Sequence, residues 1–463
     1  MTTDLKQPQL FLDNACIADS YRVRRTWHQA TKYPHPLLTA DRPWETGATV
    51  AYGTVLRWRD RFRMWYMVWS KGQNPGVCYA ESADGIHWEK PLSDAHAFNG
   101  QRETNIVIPP SQPDALIDDI SVIDDAQDAE WPLKALYWDS GGSKKSGQGY
   151  SAARSRDGVQ WEKLGCVLPR WGDRFNAVST RLDGRFALLC RIPDMMQQNK
   201  GRTVAWITSP DLRRWTKPRL ILANDIEDPE ALQMYSATAF PYAGLLVGSL
   251  ERMRFSPDQV DVEIIFSRDA KNWQRSRTAH SFIPMGAPGH WDDRWVNLTS
   301  NAPIANDRTL WFFYSGRTGA HGITFPHNAG GVGLATLRTD GFCSAHAGEF
   351  PGWLLTPPMI WPAADLMVNA DTRRDLQAHP TEASCGELRV EVRDAQNHPI
   401  KGFTADDCLP IRRNTVGWTD SLAPVYWTER RNSLRQLKGR RIRLHFVMRE
   451  THLYSFKAGD APG

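Results

Sequence analysis

Short apolar stretches alternate with polar turns along most of the chain, and four of these stretches run directly into one sequence motif. The motif reads Ser-x-Asp-x-x-x-Trp and begins at Ser82, Ser155, Ser209 and Ser267. The apolar stretches before it cover residues 77–80, 150–153, 204–207 and 262–266. Apolar runs of this length that end in turn residues predict β-strands. The pattern therefore predicts four strands, each followed by the same kind of tight turn.

The motif also predicts how each turn is held. An Asp or Ser side chain accepts hydrogen bonds from backbone amides in a turn, and Gly tolerates a positive φ there. The aromatic ring that closes the motif packs back across the turn. We therefore expect the four motif tryptophans to be structural, and they are Trp88, Trp161, Trp215 and Trp273.

Two further strands are predicted before each motif, so that the repeating unit is a meander of strands. The strands next to the motif strands cover residues 63–69, 133–138, 185–191, 244–250 and 310–314. The strands before those cover residues 54–58, 121–124, 177–182, 236–239 and 301–304. The fifth repeat ends at residues 333–338 and a turn without the Trp. Five unequally spaced repeats are typical of a β-propeller whose loops build a site at one face.

The chain beyond about residue 361 has a different pattern. Residues 387–393 alternate polar and apolar side chains, and further strands are predicted at 425–427, 440–448 and 453–456. Helical periodicity is confined to residues 430–437. We therefore predict an all-β protein with two domains, a five-bladed β-propeller over residues 1–358 and a C-terminal β-sandwich over residues 359–463.

Composition and charge exclude several classes of protein. The 463 residues include 20 Trp, with 41% hydrophobic and 23% charged residues, which is typical of a folded chain. The net charge of +4 is too small and dispersed for a nucleic-acid surface. No stretch has the length of a membrane-spanning helix, and the first residues carry no secretion signal. Seven scattered Cys favour free thiols. We expect a cytoplasmic protein with no nucleic-acid or membrane partner.

Some segments resemble the five-bladed propeller glycoside hydrolases of families 32, 43, 68 and 130. They are Met64-Trp65-Tyr66, the segment 78–91 and the closing segment 333–342. A propeller followed by a sandwich is similar to the family 32 arrangement. The Asn-Asp-Pro-Asn-Gly and Glu-Cys motifs of family 32 are missing, so activity on sucrose or fructans is not implied.

The resemblance to family 43 singles out one residue. Enzymes of that family place an Asp-Pro-x-Val-like segment where an inner strand begins, and Asp118-Asp119-Ile120 matches this segment with Ile120 in place of Pro. The resemblance therefore implies a catalytic role for Asp119. The alternative is that Asp118 and Asp119 only cap a strand.

Acids at the starts of the inner strands are the candidate catalytic groups. Glycosidic bond cleavage needs one group that protonates the leaving oxygen and another that acts as nucleophile or activates water. The inner strands of a propeller begin around one axial funnel, so acids that precede them converge. The acids at these positions are Asp41, Glu45, Asp118, Asp119, Asp173, Asp228, Glu230, Asp292 and Asp293.

Roles within this set follow from the local sequence. Glu230 precedes Tyr235 at the start of an inner strand, and apolar surroundings there would give it the raised pKa of a general acid. Asp173 is the competing acid and Glu45 a competing base. Tyr235 is a candidate contact to substrate.

Three tryptophans stand beside funnel acids. They are Trp44, Trp171 and Trp291, and a sugar ring stacks well on such aromatic faces. Asp292, next to Trp291, is a candidate polar contact to the same sugar. The alternative is that each pair is a packed Trp beside a salt-bridged acid.

Three arginines lie at or after the ends of second strands, at Arg191, Arg252 and Arg317. Guanidinium groups bind carboxylate or phosphate bidentately, which favours an anionic sugar or a phosphorolytic reaction. The alternative is that they pair with the acids of the funnel.

We therefore expect a glycosidase of carbohydrate metabolism that cleaves a glycosidic bond in a short oligosaccharide, with furanosidic and anionic sugars among the options. A glycoside phosphorylase or transglycosidase on the same scaffold, and a non-catalytic carbohydrate-binding propeller, are the alternatives. The expected partner is a small carbohydrate. No cofactor and no metal are expected, and a homo-oligomer stays open.

Overall fold

The chain folds into two compact units that consist almost entirely of β-strands. The structure, a computed structural model, describes residues 4–69, 74–143, 147–192, 201–229, 232–319, 330–372, 386–412, 422–428 and 432–460. The larger unit comprises Gln29–Ile304 and Leu310–Thr336, and the smaller one Met1–His28, Ala305–Thr309 and Leu337–Gly463. Within the described ranges the single helix is a 3-10 turn at Leu434–Leu437, and no helix is long and apolar enough to cross a membrane. The predicted all-β class is confirmed.

The larger unit contains five antiparallel groups of strands, which we call blades 1 to 5. Blades 1 to 3 are separate four-stranded sheets, and blades 4 and 5 lie in one eleven-stranded sheet. The first strand of each blade is called its inner strand. Blade 1 comprises Ala48–Trp58, Arg61–Trp69, Val77–Ser82 and Ile106–Ile108; blade 2 Ile117–Asp124, Leu133–Ser143, Gly147–Ser155 and Trp161–Pro169; blade 3 Phe175–Ala177, Phe186–Cys190, Val204–Ser209 and Arg219–Leu222; blade 4 Leu232–Ala237, Leu245–Phe255, Asp258–Ser267 and Trp273–Arg275; blade 5 Trp295–Leu298, Thr309–Arg317, Gly330–Arg338 and the pair Thr31–Lys32 and Leu38–Thr39. Two further short strands cover Phe240–Tyr242 and Ile304–Asn306.

The inner strands are linked in a ring by hydrogen bonds and one strand contact. The bonds run from Val122 N to Thr54 Oγ1 (2.8 Å), Ala177 N to Ser121 Oγ (3.0 Å), Asn176 Nδ2 to Ala237 O (3.0 Å) and Ser300 N to Gly53 O (2.9 Å). Blades 4 and 5 are joined by a parallel pairing of Val260 with Trp295. Each blade thus contacts the next and the fifth contacts the first, which is the arrangement of a five-bladed propeller.

Blade 5 differs from the prediction in two respects. Its inner strand is Trp295–Leu298, all four residues of which are buried, whereas we expected residues 301–304. Asn301 instead accepts a hydrogen bond from Val55 N at 2.8 Å, so this polar segment bridges to blade 1. Its outer strands come from near the N-terminus, since Lys32 pairs with Ala335 and Leu38 with Val332.

The outer strands of blades 1 to 4 were not predicted. They follow the Ser-x-Asp-x-x-x-Trp turns, and the one at Trp161–Pro169 has mostly exposed or half-buried residues. A strand at the edge of a sheet needs little apolar surface, so hydrophobic patterning does not reveal it.

The four motif turns have the structure expected from their sequence. In blade 2, Asp157 Oδ1 accepts from Val159 N at 2.9 Å and Gln160 N at 2.8 Å, and Trp161 Nε1 donates to Gly158 O at 2.9 Å. The residue after the Asp has a positive φ in every turn. These residues are Gly85, Gly158, Leu212 and Ala270.

The smaller unit consists of two sheets around one apolar core. The first sheet has the order Val23–Trp27, Cys343–Ala347, Thr451–Gly459, Asp365–Asp371 and Ala423–Val425, with Gln9–Leu10 also paired to Thr451–Gly459; the second has the order Asp19–Tyr21, Gly352–Leu355, Arg441–Arg449 and Met359–Ile360, with Glu387–Asp394 also paired to Arg441–Arg449. Phe446 and Phe456, one from each sheet, lie 5.5 Å apart in the shared core. This is a β-sandwich.

The limits of the sandwich differ from the predicted boundary at residues 358/359. Cys343–Ala347 pairs with both Val23–Trp27 and Thr451–Gly459, and Gly352–Leu355 pairs with Arg441–Arg449. Residues before His28 and after Leu337 therefore belong to the smaller unit. Strand pairing between distant segments sets these limits, and such pairing is not visible in local sequence patterns.

Candidate active site

Three inner strands carry a β-bulge, and each bulge contains a residue of the candidate site. The ladder register shifts between Val50 and Thr54 in blade 1, around Asp119 in blade 2 and around Tyr235 in blade 4. A bulge leaves a residue out of the ladder and re-aims its side chain. Tyr52, Asp119 and Tyr235 are thereby released from the regular in–out alternation of a strand.

A buried ion-pair network connects four blades. Asp119 pairs with Arg174 of the segment leading into blade 3, and Arg174 also pairs with Glu251 of blade 4, its Nε lying 3.2 Å from Oε2. Asp119 Oδ2 accepts a second bond from Phe175 N at 2.8 Å. The Arg174 guanidinium lies 3.9 Å from the ring centre of Tyr52 in blade 1. Burial raises the pKa of Asp119, and the charge of Arg174 opposes that rise.

Backbone conformation supports this network. Asp119 has φ +56° and Arg174 has φ +61°, a region that non-glycine residues seldom occupy. Such strain persists only where surrounding contacts over-determine it, and it is common at functional sites.

Asp118 has quite different surroundings from Asp119. Its side chain is half-buried, and its Oδ1 accepts a bond from Asp119 N at 3.1 Å. Burial and the adjacent charges of Asp119 and Asp173 raise the pKa of Asp118 to about 7, with Arg174 and Arg191 opposing them. An accessible carboxyl group that holds its proton near neutral pH has the property of a general acid.

Asp173 is a second accessible carboxylate at this site. Its side chain is 51% exposed, and its Oδ1 lies 3.5 Å from Nη1 of the buried Arg191. Trp171 precedes it, half-buried against Tyr150 at a ring distance of 5.9 Å. Asp173 is thus exposed and Trp171 half-buried, and their contact with a sugar stays a prediction.

Aromatic and basic residues of blades 3 to 5 form the other side of the site. Arg191 lies 4.6 Å from the ring centre of Tyr235, which packs edge-on against Trp295 at 5.2 Å. Arg317 lies 3.8 Å from the ring centre of Trp295. Arg191, Tyr235 and Arg317 are therefore brought together through the ring contacts of Tyr235 and Trp295.

Glu45 and Trp44 lie in a separate buried network. Glu45 accepts bonds from Tyr66 Oη at 2.6 Å and from Lys90 Nζ at 2.6 Å, and its side chain is fully buried. Trp44 Nε1 donates to Asn105 Oδ1 at 2.9 Å within the apolar core. These contacts are structural, and the candidate site does not include either residue.

Arg252 is also held by structural contacts. It forms two bonds to Asp261, at 2.7 and 3.1 Å, and donates to Thr278 O at 2.8 Å. The guanidinium thus pairs with an acid of its own blade, and Asp261 is not one of the acids that were predicted to line the funnel.

Asp292 and Trp291 pack within blade 5. Asp292 Oδ2 accepts from Lys32 Nζ at 2.8 Å and from Tyr314 Oη at 2.9 Å, and it is 1% exposed. Trp291 stacks on Tyr314 at 5.6 Å. Asp292 is therefore a buried carboxylate neutralised by a cation, and it lies beside a stacked Trp. This is the alternative in which the pair is a packed Trp beside a salt-bridged acid.

Glu230 lies outside the described residues. Asp228, close to it in sequence, pairs with Arg275 at 2.7 Å, and the exposed Asp41 pairs with Lys90 at 2.7 Å. Asp293 Oδ2 accepts from Gly289 N at 2.8 Å in a local turn. The regular placement of acids before inner strands therefore does not bring all of them to one site.

Sequence reasoning missed several residues of the site. They are Tyr52, Arg174, Glu251 and Arg202, whose guanidinium lies 5.5 Å from the ring centre of Tyr235. Asp118 was among the acids predicted to precede an inner strand, but it was given no role of its own. Glu251 carried one signal, since it interrupts the apolar run of its strand. In the described part of the chain, no three His, Cys, Asp or Glu side chains are grouped to hold a metal ion.

Comparison with known proteins yields similarities of fold. No protein-family model and no curated protein matches the chain. Among solved structures, an N-acetylgalactosamine deacetylase from F. plautii in complex with blood group B trisaccharide is 16% identical, with a TM-score of 0.49 over 70% of this chain and 97% of that one.

Two more solved structures show the same level of similarity. A β-1,2-mannobiose phosphorylase from Listeria innocua is 12% identical, with a TM-score of 0.46 over 66% of this chain and 96% of that one. A thermostable family-43 glycoside hydrolase is 11% identical, with a TM-score of 0.45 over 68% of this chain and 95% of that one. Similarity at this level does not assign an activity.

Proposed function

We propose that the protein is a glycosidase that cleaves a glycosidic bond in a short oligosaccharide bound in the propeller funnel. Asp118 carries this proposal, because it is a half-buried carboxyl group with a pKa raised to about 7 by burial and by two neighbouring carboxylates. An acid that remains protonated near neutral pH can protonate the leaving oxygen of a glycoside. The accessible carboxylate of Asp173 supplies the second group that the reaction requires.

The two carboxyl groups have different roles in the proposed reaction. The proton of Asp118 passes to the glycosidic oxygen while the bond between that oxygen and the anomeric carbon breaks. Asp173 either takes a proton from the water that attacks the anomeric carbon, or bonds to that carbon in an intermediate that water then hydrolyses while Asp118 takes the proton of that water. Asp119 is a positioning residue, because its carboxylate is held by Arg174 and its charge helps to keep the proton on Asp118.

The proposed substrate is a small carbohydrate. The half-buried Trp171 lies two residues from Asp173 and offers an aromatic face for a sugar ring. We place the reaction in the cytoplasm, on the basis of sequence alone, with imported or internal oligosaccharides as substrates.

Phosphorolysis is the second candidate reaction. It is favoured by Arg191, which is buried at the site. The ion pair of Arg191 with the half-exposed Asp173 is long, at 3.5 Å between Nη1 and Oδ1. A guanidinium group placed in this way can bind phosphate, which would then replace water as the acceptor.

The experiment measures turnover of aryl furanosides and pyranosides with and without inorganic phosphate. We expect Asp118→Asn and Asp173→Asn each to lower kcat by about 10²–10⁴-fold, with folding checked by circular dichroism. Asp94→Asn is the matched control, since Asp94 is exposed on blade 1, and it should retain full activity.

A leaving group that needs no protonation separates the two roles. With a dinitrophenyl glycoside, Asp118→Asn should regain most of the lost rate and Asp173→Asn should not. Full activity of Asp118→Asn on unactivated substrates would overturn the assignment. Sugar binding without any turnover would identify a carbohydrate-binding propeller instead.

A further inference from the structure

Two arginines contact the ring of one aromatic residue at the candidate site. The Arg191 guanidinium is 4.6 Å and the Arg202 guanidinium 5.5 Å from the ring centre of Tyr235. Arg202 is also 5.7 Å from the ring of Phe255, and its backbone N–H donates to Gln233 Oε1 at 2.9 Å. Cation–π contacts of this kind occupy the faces of a guanidinium and leave its N–H groups, which lie in the plane, available to bind an oxyanion.

Part of this donor capacity is not used within the described chain. The Nε atoms of Arg191 and Arg202 are buried, and neither has a hydrogen-bond acceptor among the described residues. Arg191 is only 5% exposed, and its ion pair with Asp173 is long, at 3.5 Å. Arg252 provides the contrast, because Asp261 and Thr278 O satisfy its guanidinium. A buried donor without an acceptor is unfavourable, and two such donors beside one aromatic ring make this pair a candidate for an external acceptor.

The local charge favours an anion as that acceptor. Burial and the charge of Arg191 lower the pKa of Arg202, so two cations stand close together without full compensation. Arg317 adds a third cation on the ring of Trp295, next to Tyr235. Asp119 and Glu251 are already engaged by Arg174, so Asp118, whose pKa is raised, and the half-exposed Asp173 are the remaining described carboxyl groups beside Arg191.

We propose that Arg191 and Arg202 form an oxyanion subsite on the Tyr235 side of the funnel, which binds a carboxylate or phosphate group of the ligand. Two guanidinium groups can each donate a pair of parallel hydrogen bonds to such a group. Phe255, 53% exposed beside Arg202, offers an apolar surface for the sugar that carries the oxyanion. That the ligand is a sugar rests on the proposed glycosidase function, whereas the oxyanion subsite rests on the arginines themselves.

The experiment measures binding by calorimetry at low salt, independently of turnover. Glucuronate, glucose and inorganic phosphate are titrated separately into the wild-type chain and into Arg202→Gln and Arg191→Gln. Arg202→Gln is the main variant, because Arg202 is half-buried and its replacement leaves the buried core unchanged. The control is Arg213→Gln, which removes an exposed arginine from the turn of blade 3.

We expect glucuronate or phosphate to bind at least tenfold more tightly than glucose. Arg202→Gln should weaken binding of the anion by about tenfold or more and leave glucose binding unchanged, whereas Arg213→Gln should behave as wild type. Tight binding of glucuronate identifies an oxyanion carried by the sugar. Tight binding of phosphate alone identifies a free phosphate acceptor.

The proposal is overturned if neither anion binds more tightly than glucose, or if Arg202→Gln and Arg213→Gln weaken binding equally. Its failure is distinguishable from failure of the glycosidase function. Turnover of neutral glycosides without selective anion binding would refute the subsite and retain the glycosidase. Arg202-dependent anion binding without turnover of any glycoside would retain the subsite and refute the glycosidase function.

Discussion

Asp118 and Asp119 are adjacent in the chain, yet their carboxyl groups occupy opposite electrostatic environments. Asp119 is buried and held by Arg174 and Phe175 N, whereas Asp118 is half-buried and accepts a bond from the backbone of Asp119. The bulge at Asp119 separates the two side chains. Burial raises the pKa of both groups, but Arg174 opposes that rise at Asp119, whereas the charge of Asp119 adds to it at Asp118.

The pH dependence of turnover follows from the raised pKa of Asp118. If its protonated form is the reactive one, kcat/KM should fall as the pH rises through about 7. We expect a descending limb near pH 7 in the wild type. Asp94→Asn should show the same limb, and a profile flat from pH 6 to 9 would contradict the role of Asp118.

The same carboxyl group should make stability depend on pH. Because the folded pKa of Asp118 lies above its unfolded value, the folded state holds the extra proton between about pH 4 and 7, so its contribution to stability declines as the pH rises through that window. Asp118→Asn lacks this loss. We expect the free energy of unfolding of Asp118→Asn, relative to that of wild type, to be about 2 kcal/mol greater at pH 8 than at pH 4. Urea unfolding of both proteins at pH 4 and pH 8 measures this difference.

Glu45 should contribute to stability and not to chemistry. Its carboxylate accepts bonds from Tyr66, Lys90 and two backbone amides. Glu45→Gln replaces one accepting oxygen by an NH2 group that faces these donors. We therefore expect a loss of about 2–4 kcal/mol in the free energy of unfolding. The kcat of the folded variant should stay within about twofold of wild type. Glu162→Gln, at an exposed pair with Arg154, is the control and should change stability by less than about 1 kcal/mol.

Ala270 is strained in its turn and should be improved by glycine. It has φ +56° where the turns of blades 1 and 2 have Gly85 and Gly158. We expect Ala270→Gly to stabilise the protein by about 0.5–1 kcal/mol, measured by thermal unfolding. Gly158→Ala should have the opposite effect, because a Cβ there would lie 2.6 Å from the Trp65 ring. Equal signs for the two variants would contradict this interpretation.

His452 should make the sandwich sensitive to acid. Burial and the nearby rings of His346 and His28 lower the pKa of His452 to about 3. Arg24 lowers this pKa further, whereas Asp371 raises it. The unfolded state therefore binds the extra proton, and stability falls as the pH drops from about 6.5 to 3.

Hydrogen exchange at Thr451–Gly459 measures this loss. We expect protection to decrease across that pH range, by about 2–4 kcal/mol in opening free energy, and to decrease less in His452→Gln. His398→Gln, at an exposed histidine, is the control and should follow the wild type.

Local sequence was sufficient for the repeated elements of the fold. Bonds between residues two or three positions apart recur in all four Ser-x-Asp-x-x-x-Trp turns, as between Trp161 and Gly158. Such contacts depend on neighbours in the chain, so their spacing is visible in the sequence. The edge strand Trp161–Pro169 was missed because its residues are largely exposed and lack a hydrophobic pattern.

The sequence by itself determined the all-β class, the repeating meanders and the positions of the acids in the chain. Only the tertiary structure decided which acids meet. Asp119 and Arg174 come from different blades, and bulges and positive φ angles bring them together, whereas Glu45 and Asp292 are neutralised by Lys90 and Lys32. An acid that precedes an inner strand can turn toward the funnel or into the packing between strands, and long-range pairing with a cation decides between the two.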